Sequence, residues 1–258
     1  MHVVKELWDY REMTANLVKR DLKSRYQGSV LGFFWMFLNP LLQLAVYTVV
    51  FSTIMKMGIE RFYLFMFVAF VPWLFFSTCL SSGTTVIFAQ QDMVKKIYFP
   101  REVLPLAFTA SQFVNMLLSF LVIFAVVAAS GVKMNPVALL WLVPVMLIEF
   151  VLALGTTLLV SALSVYFRDL EHIMGILSMA WMYLTPVIYP VEMVPEKYVR
   201  LLYVNPMTSI TVAYRQILYY ADVPDAATLL HAAACAGAVF LLGFAVFHRL
   251  KRSFAEEL

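Results

Sequence analysis

Glu149 is the one acidic side chain inside any of the long apolar stretches of this sequence. A carboxylate held there is costly unless it is protonated or paired, and a proton relay or an intramembrane enzyme needs further titratable groups converging on it. No such company is visible. His172 and His231 stand far apart and away from carboxylates, short of the clustered spacing that metal ligands need. Cys79 and Cys235 are two thiols within apolar segments, where lone cysteines serve as small packing residues. No glycine precedes any lysine, so the phosphate-cradling GxxxxGK[ST] loop is missing and any nucleotide energy must come from another subunit. A neutral or hydrogen-bonded structural Glu149 outweighs a relay, and no catalytic residue, metal site or cofactor is expected in this chain.

Aromatic and small residues offer a second kind of chemistry. Phe33, Phe37, Pro40, Leu44, Tyr47 and Phe51 recur at steps of four and three and form one helical stripe. Phe62, Tyr63, Phe65, Phe67, Phe70, Trp73, Phe75 and Phe76 crowd the next apolar stretch, and Trp181, Tyr183 and Tyr189 a later one. Rings beside a hydrated path can stack on the apolar faces of sugars while Tyr and Trp tips bond hydroxyls. Lipid-facing filler and an interfacial belt account for most of such rings. Ala107, Ser111, Asn115 and Ser119 stand four apart, a stripe suited to helix packing.

The elements that must carry these residues follow from composition. Of 258 residues, 62% are hydrophobic, 16% aromatic and 14% charged, and the mean hydropathy is +0.82. Soluble chains run near a quarter charged, so a disordered tail, a nucleic-acid binder and a disulfide-stapled module are excluded together. Six stretches reach the length of about 20 residues that a helix needs to cross a bilayer: 33–55, 62–91, 103–132, 134–167, 173–191 and 226–247. Open sheets leave unpaired edges in lipid and no period-two pattern is present, so an all-α integral membrane fold with six transmembrane helices is expected. Thirteen of the 19 Lys and Arg fall on one set of loops and six on the other, which places both termini in the cytoplasm. The first 32 residues are too charged for a signal peptide and are expected to remain in the mature protein.

Three pieces do not span. Residues 1–32 form a cytoplasmic interface region whose apolar positions Leu7, Tyr10, Leu17, Val18, Leu22 and Tyr26 suit an amphipathic helix. Resting on anionic lipid and docking another protein fit it equally. Gly28 and Gly32 bracket the turn into the first span. Residues about 90–101 read as a short cytoplasmic helix stopped by Pro100, or as a solvated loop, and 167–172 as a tight polar turn. Between the fifth and sixth spans, Pro195, Pro206 and the cap candidate Asn205 predict short re-entrant or interfacial helices near 195–204 and 206–221. Tyr198, Leu201, Leu202, Ile210, Tyr214, Ile217 and Leu218 are expected to bury, with Lys197, Arg200 and Arg215 facing water.

Several runs carry a resemblance. Arg25-Tyr26-Gln27-Gly28-Ser29-Val30-Leu31-Gly32 leads to Trp35, Asn39-Pro40-Leu41 and Val46-Tyr47-Thr48-Val49-Val50-Phe51. Then come Lys96-Ile97-Tyr98-Phe99-Pro100-Arg101-Glu102-Val103-Leu104-Pro105, Tyr166-Phe167-Arg168-Asp169, Thr185-Pro186-Val187-Ile188-Tyr189 and Asn205-Pro206-Met207. In this order, and over nearly the whole chain, they resemble ABC-2 type permeases that export O-antigen, teichoic acid or capsular polysaccharide. The resemblance implies a homodimer in the bacterial cytoplasmic (inner) membrane. Two copies of a separate cytoplasmic ABC ATPase would bind ATP and Mg, and an undecaprenyl-linked glycan would move outward, with no nucleic acid involved.

By the same resemblance, residues 33–258 are the permease domain and the helix at about 90–101 couples to the ATPase through Gln91, Asp92, Lys95, Lys96, Tyr98 and Arg101. The lipid-pyrophosphate head group would enter at Leu31 and Gly32, near Arg20, Lys23 and Arg25. Phe33, Phe37, Tyr47, Phe51, Trp181 and Tyr183 would line the glycan path. Pro195, Tyr198, Pro206 and Tyr214, in helices at about 195–221, would form the outer gate. An ABC-2 permease for a small molecule or drug uses the same machinery with different cargo. A proton-coupled secondary transporter would instead depend on Glu149, and a lipid-modifying enzyme lacks a catalytic cluster.

Overall fold

The computed structural model describes residues 2–26 and 32–258. Leu31 and Gly28, and the side chains of Arg25 and Phe33, lie outside the described residues. All regular structure among those residues is helical. Two helices come first, α1 (His2–Asp9) and α2 (Arg11–Tyr26), followed by α3 (Trp35–Thr48), whose end continues as a π-helical turn over Val49–Ile54. Next are α4 (Phe62–Ser81), the short α5 (Gln91–Lys96), α6 (Val103–Ala129), α7 (Pro136–Leu140) and α8 (Leu142–Tyr166). The chain ends with α9 (Leu170–Tyr183), α10 (Glu196–Leu202), α11 (Pro206–Leu218), α12 (Ala226–Leu250) and α13 (Phe254–Glu257).

Local chemistry sets these boundaries. Asn135 and Asn205 each cap a helix, accepting from Val137 N and Met207 N at 3.0 Å, with proline at the first helical position. Asp225 caps α12 by accepting from Thr228 N at 3.1 Å. Gly131, with φ at 73°, turns the chain after α6.

Among the described residues, five helical segments are long and apolar enough to cross a membrane: Phe37–Ile54, Phe62–Thr85, Val103–Ala129, Pro136–Tyr166 and Ala226–Ser253. The remaining apolar stretch, 173–191, is divided. Its helix α9 has 14 residues, about 21 Å at 1.5 Å per residue against about 30 Å of hydrocarbon. Beyond Tyr183 the chain leaves the helix at Thr185 and Pro186, yet Val187 and Ile188 are buried. Sequence hydropathy reports the length of an apolar run and is blind to a break within it.

The core is centred on α4. Its Phe62, Phe65, Phe67, Phe70, Trp73, Phe75 and Phe76 are all buried, so this helix is apolar all round because neighbours enclose it all round. Enclosed in this way, these rings form no lipid-facing belt. A second cluster fills one end of the bundle, where Ile87, Val94, Phe99, Val165, Phe247 and Phe254 meet. Leu7, Tyr10, Met13 and Leu17 pack against it, so the apolar face of α1 and α2 lies on the chain's own bundle. Among the basic residues, Lys95, Lys96, Arg168, Arg249, Lys251 and Arg252 flank this same end.

Helices α8 and α12 cross backbone to backbone. A Cβ on Gly155 would lie 2.5 Å from the Phe240 Cα, and one on Gly243 would lie 2.0 Å from the Gly155 carbonyl oxygen. Neither helix backbone can retreat without opening the core beside it. Gly155→Ala and Gly243→Ala are each expected to lower stability by about 1–3 kcal/mol, read as a fall in the thermal midpoint of the detergent-purified protein. Gly175→Ala, where nothing lies within 4 Å of the added carbon, should leave that midpoint unchanged or raise it.

Candidate functional site

At the end of the bundle that holds the second cluster, α5 presents its polar residues outward. Val94 and Phe99 anchor the segment in the core, which leaves Lys95, Lys96, Ile97 and Tyr98 exposed, Tyr98 at 94%. Asp92 pairs with Lys96 at 3.3 Å, but both are exposed and the pair adds little stability. Gln91 lines a cavity of about 330 Å³ together with Arg168 and Glu171. The Arg168 guanidinium lies 5.5 Å from the centre of the Phe88 ring.

Arg101 is turned differently from the other expected coupling residues. It donates to the Lys251 carbonyl, and its guanidinium lies 5.9 Å from the Phe254 ring centre. Beside it the buried Glu102 pairs with Lys251 and faces His248 at 3.6 Å. The pairing of Glu102 is not legible in the sequence, because its partners lie near the C-terminus and the local signal is an acid before a long apolar run.

Along α2, the Arg20 Nη2 donates to Gln90 Oε1 at 2.8 Å, and Asp21 accepts from Ser111 Oγ. Arg20, Asp21 and Ser24 border a cavity of about 540 Å³ closed by Ser82, Thr85 and Ala107. Lys23 is exposed, and Gly32, with φ at 43°, begins the turn into α3.

The structure backs the expected path rings with the core. Tyr47 meets Phe70 edge-on at 5.4 Å, Phe51 lies 6.1 Å from Phe62, and Trp181 meets Phe76 edge-on at 5.5 Å. Phe37 is half-buried, and Tyr183 is exposed at 59%. Trp181 also shares an apolar groove of about 890 Å³ with Tyr198 and Pro206.

At the opposite end, α10 and α11 differ. Pro195 precedes α10, whose Tyr198 and Leu201 are exposed rather than buried, with the Lys197 ammonium 4.6 Å from the Tyr198 ring centre. The expectation for α11 holds for Ile210, Tyr214, Ile217 and Leu218, all buried, and fails for Arg215, which is 3% exposed. Arg215 Nε donates to Phe65 O at 3.2 Å, Nη1 to Tyr189 O at 3.2 Å and Nη2 to Val187 O at 2.6 Å, with Phe65's ring centre 3.6 Å from the guanidinium. It buries because broken backbone after α9 supplies acceptors. Asn205 Nδ2 reaches the same segment, donating to Thr185 Oγ1 at 2.8 Å and Leu184 O at 3.3 Å. Tyr219 Oη donates to Glu60 O at 2.5 Å, and burial raises the phenol's pKa above its usual 10 and keeps it a donor. Tyr214 Oη donates to Glu149 Oε2 at 2.6 Å, so Glu149 is hydrogen-bonded within the bundle.

Residues 14–219 match the family described as ABC-2 type transporter. The chain belongs to the ABC-2 type transporter family. It is 36% identical over 260 residues, spanning all of both chains, to the O-antigen export system permease protein RfbA of Myxococcus xanthus. To a protein of the same name from Klebsiella pneumoniae it is 30% identical over 248 residues, covering 96% of this chain and 95% of the relative. A further Klebsiella pneumoniae RfbA is 28% identical over 249 residues. As an ABC-2 protein the chain is a multi-pass membrane subunit of a transporter and not itself an enzyme.

Two expectations follow for this ABC-2 fold. Arg215→Lys cannot reach three carbonyls with one ammonium, and stability should fall by about 3 kcal/mol, seen as a lower thermal midpoint and loss of monodisperse protein in detergent. A midpoint equal to the wild type would remove Arg215 from its role. Glu149→Gln keeps an acceptor for Tyr214 and should change stability by less than about 1 kcal/mol while preserving transport; a folded but inactive variant would indicate that Glu149 titrates during transport.

Proposed function

We propose that this chain is the membrane subunit of an ATP-driven exporter that moves an undecaprenyl-linked polysaccharide of the O-antigen, teichoic-acid or capsular class across the bacterial cytoplasmic membrane. The observation that carries the proposal is the end-to-end similarity to permeases named for O-antigen export, 36% identical across all of both chains in one case. Two copies of the chain associate, each with a cytoplasmic ATPase subunit that holds ATP and Mg. The fifth crossing is α9 together with 184–190, which makes six crossings with both termini cytoplasmic. The exposed faces of α3 and α9, including Val46, Ile173, Ile176 and Met179, are the surfaces left for lipid or the second copy.

In this reading Gln91, Asp92, Lys95, Lys96 and Tyr98 form the contact with the ATPase, while Arg101, expected among them, ties their segment to the chain's own C-terminal end. Arg20, Lys23, Arg25, Leu31 and Gly32 serve the entry of the pyrophosphate head group. Phe33, Phe37, Tyr47, Phe51, Trp181 and Tyr183 border the glycan path, and Pro195, Tyr198, Pro206 and Tyr214 belong to the outer gate. Closure of the ATPases on ATP moves the coupling helices and parts the two permease chains.

Deleting the gene is expected to abolish surface glycan, and restoring it with its ATPase partner to bring the glycan back. For the coupling contact, Lys95→Glu, Lys96→Glu and Tyr98→Ala together leave the inward-turned Arg101 untouched. ATPase binding should weaken about 30-fold or more, the scale of one interface hot spot. The measurement is co-purification and glycan-stimulated ATP hydrolysis in liposomes; undiminished values for both would sink the assignment of α5 as the coupling helix.

A further inference from the structure

We infer that a second cavity, between α3, α4 and α6, is a binding site for a neutral, hydroxyl-bearing sugar ring. The inference rests on the polysaccharide reading above and adds a site within a single chain, backed by carboxamides rather than by aromatic rings alone. The five long apolar segments contain four Asn and Gln residues, namely Asn39, Gln43, Gln112 and Asn115. All four line one cavity of about 340 Å³. They come from two different helices, spaced four apart on α3 and three apart on α6, so each pair shares a helix face. Random placement of four carboxamides among five segments would not gather them. A polar side chain in a spanning helix is expensive and is kept where it bonds a neighbour or a ligand.

The chemistry of the lining selects the ligand. A carboxamide offers a donor NH₂ and an acceptor oxygen, the complement of a sugar hydroxyl, which both donates and accepts. Thr78 and Ser119 add hydroxyls, and among the described residues no charged side chain lines the cavity. A phosphate or an ammonium would find no counter-charge there, whereas a neutral polyol needs none. Trp35 and Phe75 border the same space and supply apolar surface suited to the C–H face of a pyranose. The volume falls at the lower end of the roughly 300–1,000 Å³ range of small-ligand sites.

The cavity also has an approach. Leu104, Ala107 and Phe108 of α6 line the Arg20 cavity, Ser111 bonds Asp21, and Gln112, Asn115, Met116 and Ser119 line the carboxamide cavity. Facing them, Ser82 and Thr85 line the former and Leu74 and Thr78 the latter. The two cavities are successive along the seam between α4 and α6, covered by α2 at one end and α3 further in. The stripe Ala107, Ser111, Asn115 and Ser119 therefore follows this seam as a polar track and is more than a packing surface. A charged head group held near Arg20 leaves its first sugars within reach of the carboxamides, about 12 Å further along α6.

The experiment uses cells exporting glycan through the full transporter. Gln43 is replaced by the photoreactive p-benzoylphenylalanine, and separately Val46, which is exposed on α3. Illumination should attach lipid-linked glycan at position 43 and not at 46. In parallel, Asn39→Leu and Gln43→Leu should each lower surface glycan about fivefold at matched membrane levels, the weight of one hydrogen bond. The exchanges Asn39→Gln and Gln43→Asn should retain most export. Equal capture at the two positions, or full export by the double leucine variant, overturns the site while leaving the exporter reading intact. Surface glycan that survives deletion of the whole chain overturns the exporter reading and the site with it.

Discussion

A guanidinium cannot shed its charge, and hydrocarbon cannot hydrate a carbonyl. Arg215 answers both constraints at once. Between Tyr183 and Val191 the chain is not helical, so the carbonyls of this segment are outside any intrahelical ladder and need other donors. Arg215 donates to those of Val187 and Tyr189 and adds Phe65 of the central helix, while Asn205 takes Leu184. One short helix, α11, therefore ties together α4 and the broken segment. The break after α9 is tolerated because these donors are in place, and α11 is buried because the break needs them.

This dependence also sets what the sequence could and could not reveal. The start of α11 was legible because a cap is local: Asn205 and Pro206 define it within three residues, and the observed helix begins there. Arg215 was misjudged because its acceptors lie 26, 28 and 150 residues away. On a helical wheel it sits on a polar face, and polar faces usually meet water. The crowding of rings in α4 was likewise visible, but its cause was not. Enclosure of a helix on all sides is a property of its neighbours, and no window along the chain carries it. The family landmarks were legible as strings, and the structure gives two of them a common physical basis: Asn205-Pro206-Met207 and Thr185-Pro186-Val187-Ile188-Tyr189 are bonded to each other through Asn205, Leu184 and Thr185.

The basic end of the molecule follows a parallel logic with softer parts. Glu102 is buried yet charged-pair bonded to Lys251 and set against His248, and Arg101 engages the Lys251 carbonyl. Tyr166 Oη donates to Leu250 O at 3.1 Å. The last turns of α12 are thus held to the start of α6 and the end of α8 by charges and hydroxyls, while Phe247 and Phe254 fill the space beneath. Such a joint is specific in register and still more easily rearranged than an interlocked apolar core. Lys95, Lys96 and Tyr98, one short segment away, are free to meet another surface.

These two ends are joined by α6. Its 27 residues make a rod of about 40 Å, and its proline, Pro105, falls in the first turn, where no intrahelical bond is lost. By contrast, α3 and α4 carry Pro40 and Pro72 in their interiors. Glu102 precedes the rod at the basic end, Ser111 ties it to α2, and Phe120 meets Tyr214 at 5.6 Å, beside Glu149 and one residue from Arg215. Beyond its first turn α6 carries neither proline nor glycine between the Glu102 joint and Phe120. Along it, Phe120 packs against Tyr214 of the helix whose Arg215 bonds the broken segment. The same helix forms one wall of both cavities along the α4 seam.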